Sequence, residues 1–260
     1  MVVRFLNIAS LVCLMSSLAM AQTPRAATPV NRDPHNPDLQ TIVSRMMQTQ
    51  EQNKVSSRGI TVRRDYQLLD KESEQKAHVI ANVTYLPPDH KQYEVESSHG
   101  GMGEKVLRDV LDHETEKKDA RETARKEFSP DNYSFSMAGS ENLDGRKCFV
   151  LEMNPRHDGK DLLRGRVWVD AESFNIRRVE GNPAKNPSWW IRDLHILMSF
   201  SEVDGMWLRT FTQAVANVRF KGKYEMVARD LEYHHVEQNT LQGRPQKRRS
   251  AIVTGAAVNP

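Results

Sequence analysis

The chain has 260 residues, 27% of them charged, and a formal net charge of +3. That length suits one domain or two small ones and is enough to bury a sizeable core. Arg4 carries one positive charge and residues 236–260 a net +3, which leaves the rest of the chain at −1 and gives no support for a nucleic-acid-binding face.

The first segment reads as an export signal. Arg4 supplies a positive start, the stretch from Phe5 to Leu18 is mostly apolar, and Ala19-Met20-Ala21 forms a small-x-small cleavage pattern. Residues 1–21 are therefore expected to be a cleaved signal peptide, which places the mature protein in the periplasm. Cleavage removes Cys13 and leaves Cys148 alone, so the fold must rest on its core and not on an internal disulfide. Residues 22–36, with Pro24, Pro29 and Pro34 and no apolar periodicity, read as a flexible leader.

A domain is expected over residues 37–235. Asn36 reads as a helix N-cap, with Pro37 in the first helical position and Asp38 in the first turn. Leu39, Ile42, Val43, Met46 and Met47 then recur at helical spacing and must bury their stripe. The period next changes to two. Ile60, Val62, Tyr66 and Leu68 alternate with polar residues, as do Val79, Ala81, Val83 and Tyr85, and then Tyr93 and Val95. Gly100, Gly101 and Gly103 break this run, and a long helix is expected over 104–128. Val106, Leu107, Val110 and Leu111 give it an apolar first half. Glu114, Lys118, Glu122 and Lys126 alternate in sign at i,i+4 and read as a face that supports itself in water.

The remainder reads as a meander. Strands are expected around Tyr133–Met137, Phe149–Met153, Leu163–Val169, Phe174–Val179, Leu194–Phe200, Trp207–Val218 and Tyr224–Tyr233. Asp144-Gly145 and Asp204-Gly205 are hairpin signals between them. Residues 236–260 read as a disordered basic tail. The fold class is thus mainly β (α+β), a single antiparallel meander of about ten strands. Long strands in such an order curl into a half-open barrel, covered by the N-terminal amphipathic helix and the second, long helix. Space between a curved sheet and a covering helix suits an apolar ligand.

Catalytic and metal patterns do not emerge. His113-Glu114 lacks a second histidine at i+4, and His234-His235 are adjacent and so point to opposite faces of a strand. There is no G-x-S-x-G elbow, and Gly103-Glu104-Lys105 lacks the pattern of a phosphate loop. No cofactor, metal or enzymatic activity is expected.

Two stretches resemble a known family. Leu163-Arg164-Gly165-Arg166-Val167-Trp168-Val169-Asp170 leads through a short turn to Phe174-Asn175-Ile176-Arg177-Arg178-Val179-Glu180. With Pro187-Ser188-Trp189-Trp190 and Gly205-Met206-Trp207-Leu208, this is similar to the LolA-like superfamily of periplasmic outer membrane lipoprotein-sorting proteins. The resemblance spans roughly Ile60 to Tyr233. It implies a half-open barrel with a helical lid, a hydrophobic cavity that shields acyl chains, and no catalytic set. Relatives of this fold also include lipid binders and regulators that bind a membrane-spanning anti-sigma factor. The charged second helix and the basic tail depart from the carriers. The expected partner is a lipid or acylated lipoprotein, with an envelope membrane protein as the alternative. The residues expected to line the cavity are Leu39, Val43, Met46, Met47, Trp168, Trp189, Trp190 and Trp207. On alternating strand geometry, one of Trp189 and Trp190 would point inward and the other outward.

Overall fold

The computed structural model describes residues 37–87, 90–116, 124, 127–159 and 161–236. The expected signal peptide, the leader to residue 36 and the basic tail beyond residue 236 lie outside the described residues.

Among the described residues the elements are two helices and ten strands: α1 (Leu39–Ser56), β1 (Ile60–Asp70), β2 (Gln75–Leu86), β3 (His90–His99), α2 (Met102–Thr115), β4 (Tyr133–Leu143), β5 (Arg146–Pro155), β6 (Leu163–Asp170), β7 (Ile176–Pro183), β8 (Ile191–Val203), β9 (Met206–Val218) and β10 (Gly222–His235). All ten strands form one antiparallel sheet in the order β3-β2-β1-β10-β9-β8-β7-β6-β5-β4. Every neighbour in space is a neighbour in sequence except β1 and β10, whose pairing joins the first strand to the last. The sheet stays open, with β3 and β4 as its two edges. The architecture is the expected open half-barrel.

Local chemistry explains the elements. The helix starts two residues later than expected, because Asp38 is the cap: its Oδ1 accepts the Thr41 backbone N–H at 2.7 Å. The Asp-Gly turns behave as read, with positive φ at Asp144 (53°) and Gly145 (80°) and at Asp204 (50°) and Gly205 (76°), the backbone that two-residue hairpins need. Phe174, expected to open a strand, sits instead in the turn with φ 59°, and β7 begins at Ile176.

The second helix is shorter than expected. It ends at Thr115, and Glu116 leaves helical geometry. The last buried residue of α2 is Leu111, and the Thr115 hydroxyl donates to the Leu111 carbonyl at 2.8 Å, a local bond that competes with continued helix. Lys118, Glu122 and Lys126 lie outside the described residues.

Each helix seals its own core. Ile42, Val43 and Met46 of α1 are buried against Tyr133, Phe149, Leu151, Met153, Val167, Val169, Ile176 and Val179, a cluster built from β4 to β7. Leu107 and Leu111 of α2 are buried against Tyr66, Leu68, Val79, Ala81 and Val83 of β1 and β2. The opposite face of β5 and β6 holds a smaller cluster of Cys148, Val150 and Trp168. Burial pushes the Cys148 thiol up to about 11, so it behaves as a small buried apolar group.

One glycine pair fixes how tightly β6 and β7 approach. Gly165 and Gly181 face each other across the ladder. A Cβ on Gly165 would lie 2.0 Å from the Glu180 carbonyl oxygen, and one on Gly181 would lie 2.4 Å from that of Arg164. Backbone cannot swing aside as a side chain can, and glycines at such points admit the coiling that a half-barrel needs. Gly165→Ala should therefore cost about 2–3 kcal/mol in urea unfolding; a midpoint unchanged from the wild type would show that the ladder tolerates the extra carbon.

Candidate functional site

The concave face can be followed across the sheet through its register. Ile196, Ala214, Met226, Leu68 and Ala77 lie side by side on successive strands, and so do Met198, Thr212, Ala228, Tyr66 and Val79. Directly paired residues share a face. These two rows therefore continue the buried faces beneath the helices, since Tyr66, Leu68, Ala77 and Val79 belong to the α2 core and Ile196, Met198 and Phe200 pack against the α1 core.

Burial changes sharply along these rows. Under α1, β5 buries Phe149, Leu151 and Met153. Along β8 no residue is buried, along β9 only Met206, and along β10 only Ala228. The middle of the concave face is thus an apolar strip of Ile196, Met198, Phe200, Ala214, Tyr224 and Met226, half-buried, which no described element seals. The small side chains of Ala214, Ala216 and Ala228 keep its floor low.

One end of the strip meets a buried polar cluster. Arg64 occupies the inward position between Val62 and Tyr66 on β1, and a bulge at Arg63/Arg64 sets it opposite Asp230 on β10. Its guanidinium bonds Asp230 through Nε and the Glu114 carboxylate through Nη1 at 2.7 Å. Glu114, near the end of α2, also receives Arg209 of β9, the Tyr66 hydroxyl at 3.0 Å and the Tyr85 hydroxyl at 2.9 Å. The side chains of Arg64, Asp230 and Glu114 are 5%, 1% and 11% exposed. Burial opposes ionisation of Glu114, but the guanidiniums of Arg209 and Arg64 outweigh it and hold the carboxyl well below the usual carboxylate range. Asp230 is pushed up by burial, against the pull of Arg64. Burial likewise raises Tyr85 to about 12, so its phenol stays protonated and donates. Two cations balance two carboxylates, and the cluster fastens α2 to three strands.

This corrects the reading of Glu114 as a member of a water-facing stripe. Tertiary partners claim it. The signal that could have found the cluster was Arg64 itself, a charge on the inward phase of an otherwise apolar alternation, which demands a buried partner.

The residues expected to line a cavity fall into three groups. Val43 and Met46 belong to the packed α1 core, with Leu39 and Met47 partly buried at its margin. Trp168 lies on the opposite face from its neighbours Val167 and Val169, with Nε1 donating to Glu141 at 2.9 Å. Trp207 is half-buried, and its Nε1 donates to the Ile176 carbonyl at 2.8 Å. Trp189 and Trp190 precede β8, so strand alternation does not apply to them, and both are exposed. The structure therefore does not gather these eight side chains around one space.

Other features carry less. A depression of about 760 Å³ on the outer face, lined by Thr61, Arg63, Asn82, Thr84, Glu94 and Glu96 among others, is mostly polar and unlike an acyl site. Asp70, Glu72 and Glu74 converge in the β1–β2 turn, where the Lys76 ammonium already bonds Asp70 at 2.9 Å and Glu74 at 2.6 Å. His234 and His235 pair with Thr61 and Ile60, one after the other, and so alternate in face.

Together these features define an open antiparallel half-barrel with two separately packed helices and an uncovered apolar strip between their cores. No family model matches the sequence, and no curated protein matches it. Among solved structures, the chain is similar to an outer membrane lipoprotein-sorting protein domain from Vibrio parahaemolyticus, with 11% identity over 77% of this chain and 97% of that one and a TM-score of 0.43. It is similar to a LolA superfamily protein from Nitrosomonas europaea, with 10% identity over 79% and 97% of the two chains and a TM-score of 0.43. A more distant likeness is to the MucA/MucB complex of Pseudomonas aeruginosa, with 8% identity over 74% and 98% and a TM-score of 0.26.

Proposed function

We propose that this protein is a periplasmic binding protein, not an enzyme, that holds an acyl chain of a lipid or acylated lipoprotein on the strip formed by β8, β9 and β10. The observation that supports this reading is the loss of burial on one continuous apolar face: Ile196, Met198, Ala214 and Met226 extend two sealed cores but are not sealed themselves. A soluble protein that leaves a row of this kind half-open gains by covering it with something apolar.

The magnitude is adequate. Burying an acyl chain gains roughly 0.8 kcal/mol per methylene, so about ten methylenes give ~8 kcal/mol gross. Association and ordering losses then reduce this to a reversible affinity, which suits a carrier or sensor. Met198 and Met226 lend the strip adaptability, since thioether side chains repack around chains of different length and saturation. The α1 residues foreseen as a lid act in this reading as a fixed wall, because their stripe is already packed.

Titration with an anthroyloxy-labelled fatty acid tests the proposal. Saturable binding with a blue-shifted probe, reversed by unlabelled palmitate, is the expected result. A flat titration at micromolar protein, together with native mass spectra free of lipid adducts, would remove it.

A further inference from the structure

The rim at which β8 and β10 begin carries an unusual grouping. Trp189 is 73% exposed, Trp190 41% and Phe220 98%. The two tryptophans lie in the β7–β8 loop and the phenylalanine at the tip of the β9–β10 turn, yet they form one patch. The Arg219 N–H donates to the Trp190 carbonyl at 2.9 Å, and the Arg219 guanidinium sits 5.6 Å from the Trp189 ring centre. Ile191 pairs with Val218, which ties the loop to the turn.

Phe220 is held outward against conformational preference. Its φ is 65°, a region that bulky side chains rarely enter, and its ring is almost wholly in water. A strained backbone that presents a large apolar ring to solvent is stabilising neither locally nor by burial, and such features mark surfaces with a use.

The charges around the patch have one dominant sign. Lys185, Arg192, Arg219, Lys221 and Lys223 are exposed on the same loop, strand starts and turn, against a single acid, Asp193, which accepts from Asn217 at 3.0 Å. Arg192, Asn217, Arg219 and Phe220 frame an open depression of about 350 Å³, so two arginines belong to its lining. The neighbouring β1–β2 turn adds three acids and two lysines that pair among themselves, Lys76 with Asp70 and Glu74 and Lys71 with Glu72.

We infer that this rim docks the protein on an anionic phospholipid bilayer, with Trp189, Trp190 and Phe220 entering the interface and Arg192 and Arg219 receiving lipid phosphates. Tryptophan is at home where an apolar ring meets headgroups, and each nearby cation adds attraction to an anionic leaflet. The inference goes beyond acyl binding and stands whether or not the strip holds a ligand. It also gives that strip a direction, since the rim caps the ends of β8 to β10.

Vesicle co-sedimentation of the full chain tests it, with phosphatidylcholine alone and with phosphatidylcholine–phosphatidylglycerol mixtures. The wild type should partition onto the anionic vesicles, and brominated acyl chains should quench its tryptophan emission. W189S/W190S/F220S should partition about tenfold more weakly, and R192Q/R219Q about tenfold more weakly on anionic vesicles alone. W189F/W190F should keep partitioning but lose the quenching. All substituted side chains are exposed, so unchanged melting curves are expected. The basic tail is common to every variant, so adsorption through it leaves them equal. Equal partitioning of wild type and W189S/W190S/F220S, or no bromine quenching of the bound wild type, would overturn the inference and leave the patch as a protein-docking surface.

Discussion

Glu114→Ala should lower the unfolding free energy by about 3–5 kcal/mol, among the largest effects of any single substitution outside the apolar cores. The reason is what remains behind. Removing the carboxylate leaves the Arg64 and Arg209 guanidiniums facing each other without one of their two counter-charges, with Arg64 only 5% exposed. The hydroxyls of Tyr66 and Tyr85 lose their acceptor in the same step. Buried cations and phenols without partners cost their desolvation in full. Urea unfolding followed by far-UV circular dichroism reads the change directly.

The pH dependence follows from the direction of the shift. Glu114 is held below its ordinary range in the folded state, so the stability it contributes is fully present above the unfolded value of about 4.3 and is lost as pH falls through its depressed folded value. Asp230 acts with the opposite sign. Its carboxyl is raised, so its contribution is present below about 3.9 and is lost as pH rises through the folded value. Comparing wild type with Glu114→Gln isolates the first term. Their stability gap should persist down to about pH 4 and close only in stronger acid. A gap that closes near pH 5 would show an ordinary, solvated carboxylate at this position.

The second large effect concerns binding. Ala214→Trp should weaken acyl-chain affinity about a hundredfold, because an indole at the middle of the strip excludes about three or four methylenes worth roughly 0.8 kcal/mol each. Ala214 pairs with Ile196 on one side and Met226 on the other and is itself half-exposed, so the added ring has room without disturbing either core. Val215→Trp is the matched control. It places the same ring one residue along, on the outer face beside His195 and Glu225, and should bind as the wild type does. Similar losses in both variants would argue that the tryptophan, and not its face, caused the change.

The strands were the most legible part of this chain. Alternation and Asp-Gly turns are local signals, and ten strands in meander order follow from them. What joins the two runs of strands is not local. The β1–β10 pairing joins residues distant in sequence, among them Arg64 and Asp230, 166 positions apart. The same distance hid the polar cluster, because i,i+4 charge spacing makes Glu114 look self-sufficient until two strands deliver arginines to it. The helix start differs because Asn36-Pro37 carries the usual cap-and-first-position pattern, while the Asp38 carboxylate, expected in the first turn, is the group that caps the helix. Residue type alone groups the tryptophans as a set, whereas strand phase and loop position scatter them over an outer face, an inter-strand contact and an exposed rim. The strip itself has a sequence trace, the alternating Ile196, Met198 and Phe200 opposite small residues on β9. Its openness depends on where the helices stop, and sequence periodicity does not report that.

A photoactivatable fatty acid locates the ligand without assuming where it sits. After irradiation with a diazirine-bearing palmitate and proteolysis, label should concentrate on the β8, β9 and β10 peptides, at Ile196–Phe200, Ala214 and Met226, and should vanish with excess palmitate. Label confined to the outer face around Thr61, Asn82 and Glu94, or spread without competition, would contradict an acyl site on the concave strip.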